Sequence, residues 1–198
     1  MPWPDDVTLR GKSVRLEPLA RRHAADLAEA IADGELHRLW YTTVPAPEDV
    51  LADIDRKLAL RAAGSMLPFA AIDGGTQRAV GATTYMNIDA ETRRLEIGST
   101  WYRRAAQRTS LNTECKLLLL RHAFETLDCV AVEFRAHILN QQSRKAIERL
   151  GAKLDGVLRS HMRMRDGTLR DSCVYSIVAS EWPTVRAHLE WQLARRRV

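Results

Sequence analysis

Apolar and polar positions change their period several times along the chain. Residues 13–19 alternate, with Val14, Leu16 and Pro18 on one side, which predicts a strand. Residues 21–31 place Ala24, Leu27, Ala28 and Ile31 at helical spacing. Residues 47–63 predict a second helix, with Pro47, Glu48 and Asp49 suited to its first turn. The period then returns to two. Residues 67–72, 79–88 and 94–101 read as strands, joined by a turn at Asp73-Gly74-Gly75-Thr76 and another at 89–93, so this part predicts an antiparallel meander.

From Arg103 onward the pattern becomes loop, helix, strand, helix. Residues 113–127 carry Leu117, Leu120, Phe124 and Leu127 on one stripe, and Leu118, Leu119 and Ala123 widen it, so this helix is buried on more than one side. Residues 130–137 predict a strand. Residues 141–150 predict a helix with Ala146, Ile147 and Leu150 inward, Asn140 as its N-cap and Gly151 as its left-handed stop. Residues 153–164 and 169–178 form a closing hairpin around Asp166-Gly167. A terminal helix over 180–195 takes Ser180 as its cap and Pro183 in its first turn. A meander followed by a strand-helix-strand crossover gives an α/β (α+β) class, a mixed sheet with helices on both faces. The seven predicted strands are mostly antiparallel. The crossover from 94–101 to 130–137 should be parallel and right-handed. One domain over 1–198 is expected, with its core at about 11–178 and a C-terminal helix at about 180–195.

Composition narrows the function classes. With 198 residues, 45% apolar and 28% charged, the chain has the profile of one soluble globular domain. No apolar run reaches the roughly 20 residues of a membrane span. The start, Met1-Pro2-Trp3-Pro4-Asp5-Asp6, has no basic region leading into an apolar one, so the expectation is a cytoplasmic protein without membrane attachment. Cys115, Cys129 and Cys173 are odd in number and form no paired motif, which argues for reduced, structural thiols. The six histidines show no metal-ligand spacing, and no metal is expected. The net charge of +5 favours anionic partners, but part of it sits in Arg195-Arg196-Arg197, read as a solvated tail. Aromatic residues make up 6% and do not interleave with basic ones, so no nucleic acid partner is expected.

The candidate chemistry lies between the strand at 94–101 and the following helix. Residues 103–112 (RRAAQRTSLN) join a strand to a helix N-terminus, which offers unpaired amides and the positive end of a helix dipole. Arg103, Arg104 and Arg108 can add charge-assisted bonds to a phosphate. Taken alone, the segment reads first as a surface loop with a helix cap at Asn112 and only second as a phosphate site.

The order of elements resembles the GNAT superfamily of acyltransferases, the RimJ/RimL-type branch in particular. The residues that carry the resemblance are Leu95-Glu96-Ile97-Gly98, Trp101-Tyr102, the helix start from Asn112 to Leu119, and Asn140-Gln141-Gln142-Ser143 running on to Leu150-Gly151-Ala152. It covers about residues 11–178. The resemblance implies acetyl-CoA as acyl donor and an amine acceptor, a small molecule or a protein N-terminus. It implies direct attack in a ternary complex, and it leaves a homodimer open. It assigns the pyrophosphate to the backbone of Gln107, Arg108, Thr109, Ser110, Leu111 and Asn112, although Ser110 and Asn112 stand where the family usually has small glycine-type residues. It assigns the thioester carbonyl to an amide near Trp101-Tyr102, the pantetheine arm to Asn140 and the sulfur to Ser143; Arg144 and Lys145 read equally as phosphate contacts and as solvated helix positions. Glu96 becomes the candidate base, with a strand carboxylate paired to Arg94 or Arg135 as the other reading. The family's usual tyrosine acid is missing, because no Tyr lies between Tyr102 and Tyr175. Trp40, Tyr41 and His37 fall in the region that shapes the acceptor site; His137 and His161, on strands that can border the cleft, read rather as satisfied structural histidines. Two further readings stay open: a longer donor such as succinyl-CoA, and a CoA-binding module without turnover.

Overall fold

The computed structural model describes residues 3–195, so Arg196 and Arg197 of the basic tail lie outside the described residues. Its strands are β1 (Leu9–Arg10), β2 (Val14–Pro18), β3 (Met66–Asp73), β4 (Ala79–Asp89), β5 (Arg94–Tyr102), β6 (Ala131–His137), β7 (Lys153–Arg163) and β8 (Leu169–Val178). The helices are α1 (Ala24–Ala32), α2 (Val50–Ala62), α3 (Leu111–Arg121), α4 (Gln141–Glu148) and α5 (Trp182–Ala194). One sheet contains all eight strands in the order β1-β2-β3-β4-β5-β6-β8-β7. Neighbours run antiparallel throughout except β5 and β6, which run parallel. The eighth strand corrects the predicted seven. β1 has two residues, too few to show an alternation, and it pairs with β2 through Leu9 and Arg10.

Other corrections fall at helix ends. α3 starts at Leu111, so Ser110 holds the N-cap position and Asn112 lies in the first turn instead of capping it. Its last turn, His122–Thr126, widens into a π-helical turn. Ser180 does not cap the terminal helix. It sits inside the short turn Ala179–Glu181, and the Glu181 carboxylate accepts the Val178 amide at 3.1 Å. Asn140 does cap α4, since its Oδ1 accepts the Ser143 amide at 3.0 Å. Gly151 takes the expected left-handed conformation, with φ of 99°.

Alternation along β3 shows how the two faces are filled. Leu67, Phe69 and Ala71 enter the larger core with α3, α4 and α5, whereas Ala70 and Ile72 enter a smaller one with α1 and α2. Leu95 and Ile97 of β5 also face the α3 side. Between Gly98 and Trp101 the strand bulges. Ser99 and Thr100 together oppose Thr83 of β4, and Ser99 takes a φ of 48°. The extra residue resets the alternation, so Tyr102 also faces α3 and Trp101 faces α1 and α2.

β5 and β6 pair through Arg94, Leu95 and Glu96 against Ala131, Val132 and Glu133. Past that point they part. β5 follows β4 as far as Tyr102, and β6 follows β8 as far as His137. A wedge opens between them, with α3 beneath it and α4 starting at the end of β6.

Candidate active site

The loop at the mouth of the wedge is held by its own side chains. The Arg103 amide bonds the Val80 carbonyl at 2.8 Å, and its guanidinium binds Asp33 at 2.9 Å. Gln107 donates its side-chain amide to the Tyr102 carbonyl at 2.9 Å, which pins the loop base and directs that side chain away from solvent. Thr109 donates to the Ala106 carbonyl at 2.7 Å and accepts the Leu111 amide at 3.2 Å. The residue that turns the chain is Arg108, with φ of 60°. Ser110 has ordinary helical angles, φ −71° and ψ −14°, so this loop needs no glycine there.

A pocket of about 370 Å³ lies against this loop on the β4 side, between Ala105, Ala106, Thr109, Ser110 and Leu111 and a facing wall of Ser13, Asp73, Thr76 and Val80. A diphosphate fits these residues: small side chains, a helix N-terminus, and first-turn amides that no helical carbonyl can reach. In the first turn of α3, the Asn112 Oδ1 atom is buried without a hydrogen-bond partner. Glu114 would repel an anion at this helix end. Its carboxylate instead accepts the amides of Lys12 and Ser13 and the Ser13 hydroxyl, in the turn between β1 and β2. A side chain at Gly11 would collide with that carboxylate.

On the far wall of the wedge, the Asn140 cap holds the start of α4, and Ser143 sits half-buried in its first turn. Arg144 does not point toward a phosphate. Its guanidinium donates to the Tyr175 hydroxyl at 3.0 Å and the Ile138 carbonyl at 3.1 Å. Lys145, next to it, is exposed. The side chains of Trp101 and Tyr102 are packed into the cores of opposite faces, so only their backbone borders the wedge. Successive strand amides point to opposite edges, so one of the two faces the opening.

Glu96 points away from α3, opposite to Leu95 and Ile97. It is buried, accepts from Asn87 at 2.7 Å, and lies 3.4 Å from the Arg135 guanidinium. Burial raises its pKa, and Arg135 and Asn87 oppose the rise without cancelling it. Arg94 pairs with Glu133 at 2.6 Å and not with Glu96. A Cβ on Gly98 would come within 2.7 Å of the Glu96 carboxylate, so glycine there makes room for the acid.

The segment between α1 and α2 closes this side. Trp40 meets the His137 ring edge-on at 5.2 Å, and Tyr41 lies 6.4 Å from it. His137 is buried at the end of β6. Its pKa is lowered by burial and by Arg170, and its Nδ1 accepts the Leu139 amide at 3.1 Å. His37, in the same segment, has a buried Nδ1 without a partner, and His161 contacts Ser172 at 3.0 Å.

One residue of the wedge was not among the sequence candidates. Lys116 of α3 is buried, and its ammonium donates to Thr100 at 2.7 Å and to Thr83 at 3.4 Å. The signal for it lies in the helix pattern: Lys116 shares a face with Leu119, Leu120 and Ala123, which are all fully buried. Among the described residues, no group of His, Cys, Asp and Glu could hold a metal ion, and no helix is long and apolar enough to cross a membrane. Cys115, Cys129 and Cys173 are free and buried, and burial pushes the first two up to about 12.

A sheet parted at its parallel pair, with a loop and helix N-terminus at the end of β5 and a buried carboxylate on the same strand, defines an acyl-CoA-dependent N-acyltransferase. Residues 13–153 match the acetyltransferase (GNAT) domain family, and the chain belongs to it. A GCN5-related N-acetyltransferase from Brucella melitensis is 30% identical over 98% of this chain and 88% of that one, with a TM-score of 0.84. A T. thermophilus protein assigned as an acetyltransferase is 35% identical over 96% of this chain and 99% of that one, with a TM-score of 0.83. Mycobacterium smegmatis RimJ, in complex with CoA-disulfide, is 25% identical over 98% of this chain and 97% of that one, with a TM-score of 0.78, which supports the RimJ/RimL-type branch. No curated protein matches the chain.

Proposed function

We propose that the protein moves an acetyl group from acetyl-CoA to a primary amine by direct attack, without an acyl-enzyme. The observation that carries this reading is the wedge, which has the loop and N-terminus of α3 at the end of β5 and the buried Glu96 on the other face of that strand. Backbone amides of Arg108, Thr109, Ser110 and Asn112 hold the pyrophosphate, while that of Leu111 is taken by the Thr109 hydroxyl; Asn140 and Ser143 border the pantetheine and sulfur, and Lys145 reaches a phosphate from α4. An amide of Trp101 or Tyr102 holds the carbonyl oxygen as charge develops on it. The acceptor enters beneath Trp40 and Tyr41. Glu96 removes its proton, directly or through water, and burial keeps the carboxyl basic enough to do so.

Calorimetry with acetyl-CoA, followed by a thiol-release screen over small amines and peptide N-termini, tests the reading. Binding and thiol release are expected. Absence of CoA binding at millimolar concentration would overturn it. A panel including succinyl-CoA checks the acyl chain, and acetyl-CoA is expected to be turned over fastest.

A further inference from the structure

A transferase of this kind must deliver a proton to the departing CoA sulfur. The three tyrosines of the sheet, Tyr85, Tyr102 and Tyr175, are not placed to do so. Tyr85 donates to the Leu119 carbonyl at 2.6 Å, and Tyr102 is buried with its hydroxyl against the Cys115 thiol. Tyr175 donates to Glu148 at 2.9 Å while accepting from Arg144. The Ser143 hydroxyl can hold the sulfur but is too weak an acid to give up its own proton.

Lys116 meets the requirement. Its Nζ sits where the two strands have parted, 2.7 Å from Thr100 on β5 and 6.0 Å from the ring centroid of Phe134, the first β6 residue beyond the paired stretch. Among the described residues no carboxylate pairs with it. Two threonine hydroxyls take part of its donor capacity, and an ammonium has three N–H groups. A buried cation without a counter-ion is costly unless something anionic reaches it. The Ser99 bulge turns Thr100 to this face, so the backbone irregularity and the lysine belong to one arrangement. Glu96 faces the opposite side of β5, so base and cation flank the same opening.

We propose that Lys116 is the catalytic acid, donating its Nζ proton to the CoA sulfur as the carbon–sulfur bond breaks. This rests on the acyltransferase reading above. The acceptor nitrogen forms its bond to the carbonyl carbon and loses a proton to Glu96. The sulfur leaves with the carbon–sulfur electron pair and takes the Lys116 proton. Glu96 then holds one proton too many and Lys116 one too few, and exchange with water restores both. Burial brings the lysine down to about 7, and Cys115 of the same helix is the titratable group that acts on it. Tyr102 of β5 faces Cys115, while β4 and β6 present Thr83 and Phe134. An ammonium of that acidity can protonate a thiolate, whose thiol has a pKa of about 8.5.

Lys116→Met in the full chain is the test. With CoA bound, the thiolate absorbance of the wild type is expected to titrate below that of free CoA, by less than the roughly 1.5 pH units that separate the thiol from Lys116, because the neighbouring cation favours the thiolate while the ammonium stays the stronger acid. In K116M that shift disappears. Turnover of acetyl-CoA is expected to fall about 10²- to 10⁴-fold with little change in its binding. An acetyl selenoester of the CoA analogue, whose selenolate leaves without needing a proton, should recover most of the loss. K116M is expected to melt higher than the wild type at pH 6, since it removes a buried charge. If it does not fold, Thr100→Val carries the same titration, because it removes the nearest acceptor of the ammonium. A wild type that transfers acetyl groups while the variant keeps both its rate and its thiol titration would overturn the proposal alone. A wild type that binds no CoA would overturn the acyltransferase reading with it.

Discussion

At the scale of single residues, Glu96 takes its character from neighbours on three strands. Asn87 of β4 and Arg135 of β6 reach the carboxylate, and Arg170 of β8 acts on it electrostatically. Glu96→Gln is expected to lower turnover about 10²- to 10⁴-fold while leaving acetyl-CoA binding intact, read by calorimetry beside steady-state rates. The rate should fall on acidification at a pH above the ordinary carboxylate range, because burial raises the Glu96 pKa and the base must be ionised to act. Glu17 behaves in the opposite way. Burial works against its ionisation, but Arg22, Arg15 and His23 hydrogen-bond to it and hold it at about 2, down from 4.5. A lowered carboxylate stabilises the fold above its unfolded pKa, and that contribution is lost as pH falls from about 4.5 to about 2. Glu17→Gln should therefore lose less stability than the wild type across that interval in an acid titration followed by circular dichroism. Of the Glu96 partners, the sequence names only Arg135. Asn87, Arg135 and Arg170 meet Glu96 through strand register alone, so its alternative reading, a carboxylate paired with Arg135, is also part of the structure.

At the scale of elements, what is local is legible. Asn140 and Gly151 bracket α4 by chemistry that acts within a few residues: an oxygen for a free amide, and a residue that accepts positive φ. Asn140→Ala should lower stability by about 1 kcal/mol in urea unfolding. Gly151→Ala should cost roughly 1–2 kcal/mol for its left-handed backbone, since a Cβ there would also sit 3.2 Å from Val185. The phosphate loop shows the limit. Its glycine-like positions turn out helical, and the left-handed turn falls on Arg108, because Gln107, Thr109 and Asp33 tie the loop through contacts that no short motif encodes. The same holds for Arg103 and Arg144, which read as phosphate ligands and are instead engaged by Asp33 and Tyr175.

At the scale of the molecule, hydrophobic periods predict the meander, the crossover and the helices on both faces, since each element must bury one side. The parting of β5 from β6 is not predicted by any period, because both strands alternate normally up to the point where their partners diverge. Ligand binding should be visible in global stability. Acetyl-CoA at 100 times its Kd is expected to stabilise the protein by about 2.7 kcal/mol. For a chain of this size that raises the midpoint by roughly 5–10 °C in a thermal melt. The three-residue seam from Arg94 to Glu96 has a mechanical consequence. It is a short clasp between two half-sheets, with much of each strand beyond it facing no neighbour on that edge. A ligand that slots into the gap acts as a missing strand. Its binding should slow amide exchange in the outer part of β5 and β6 together, and leave the strands far from the clasp unchanged.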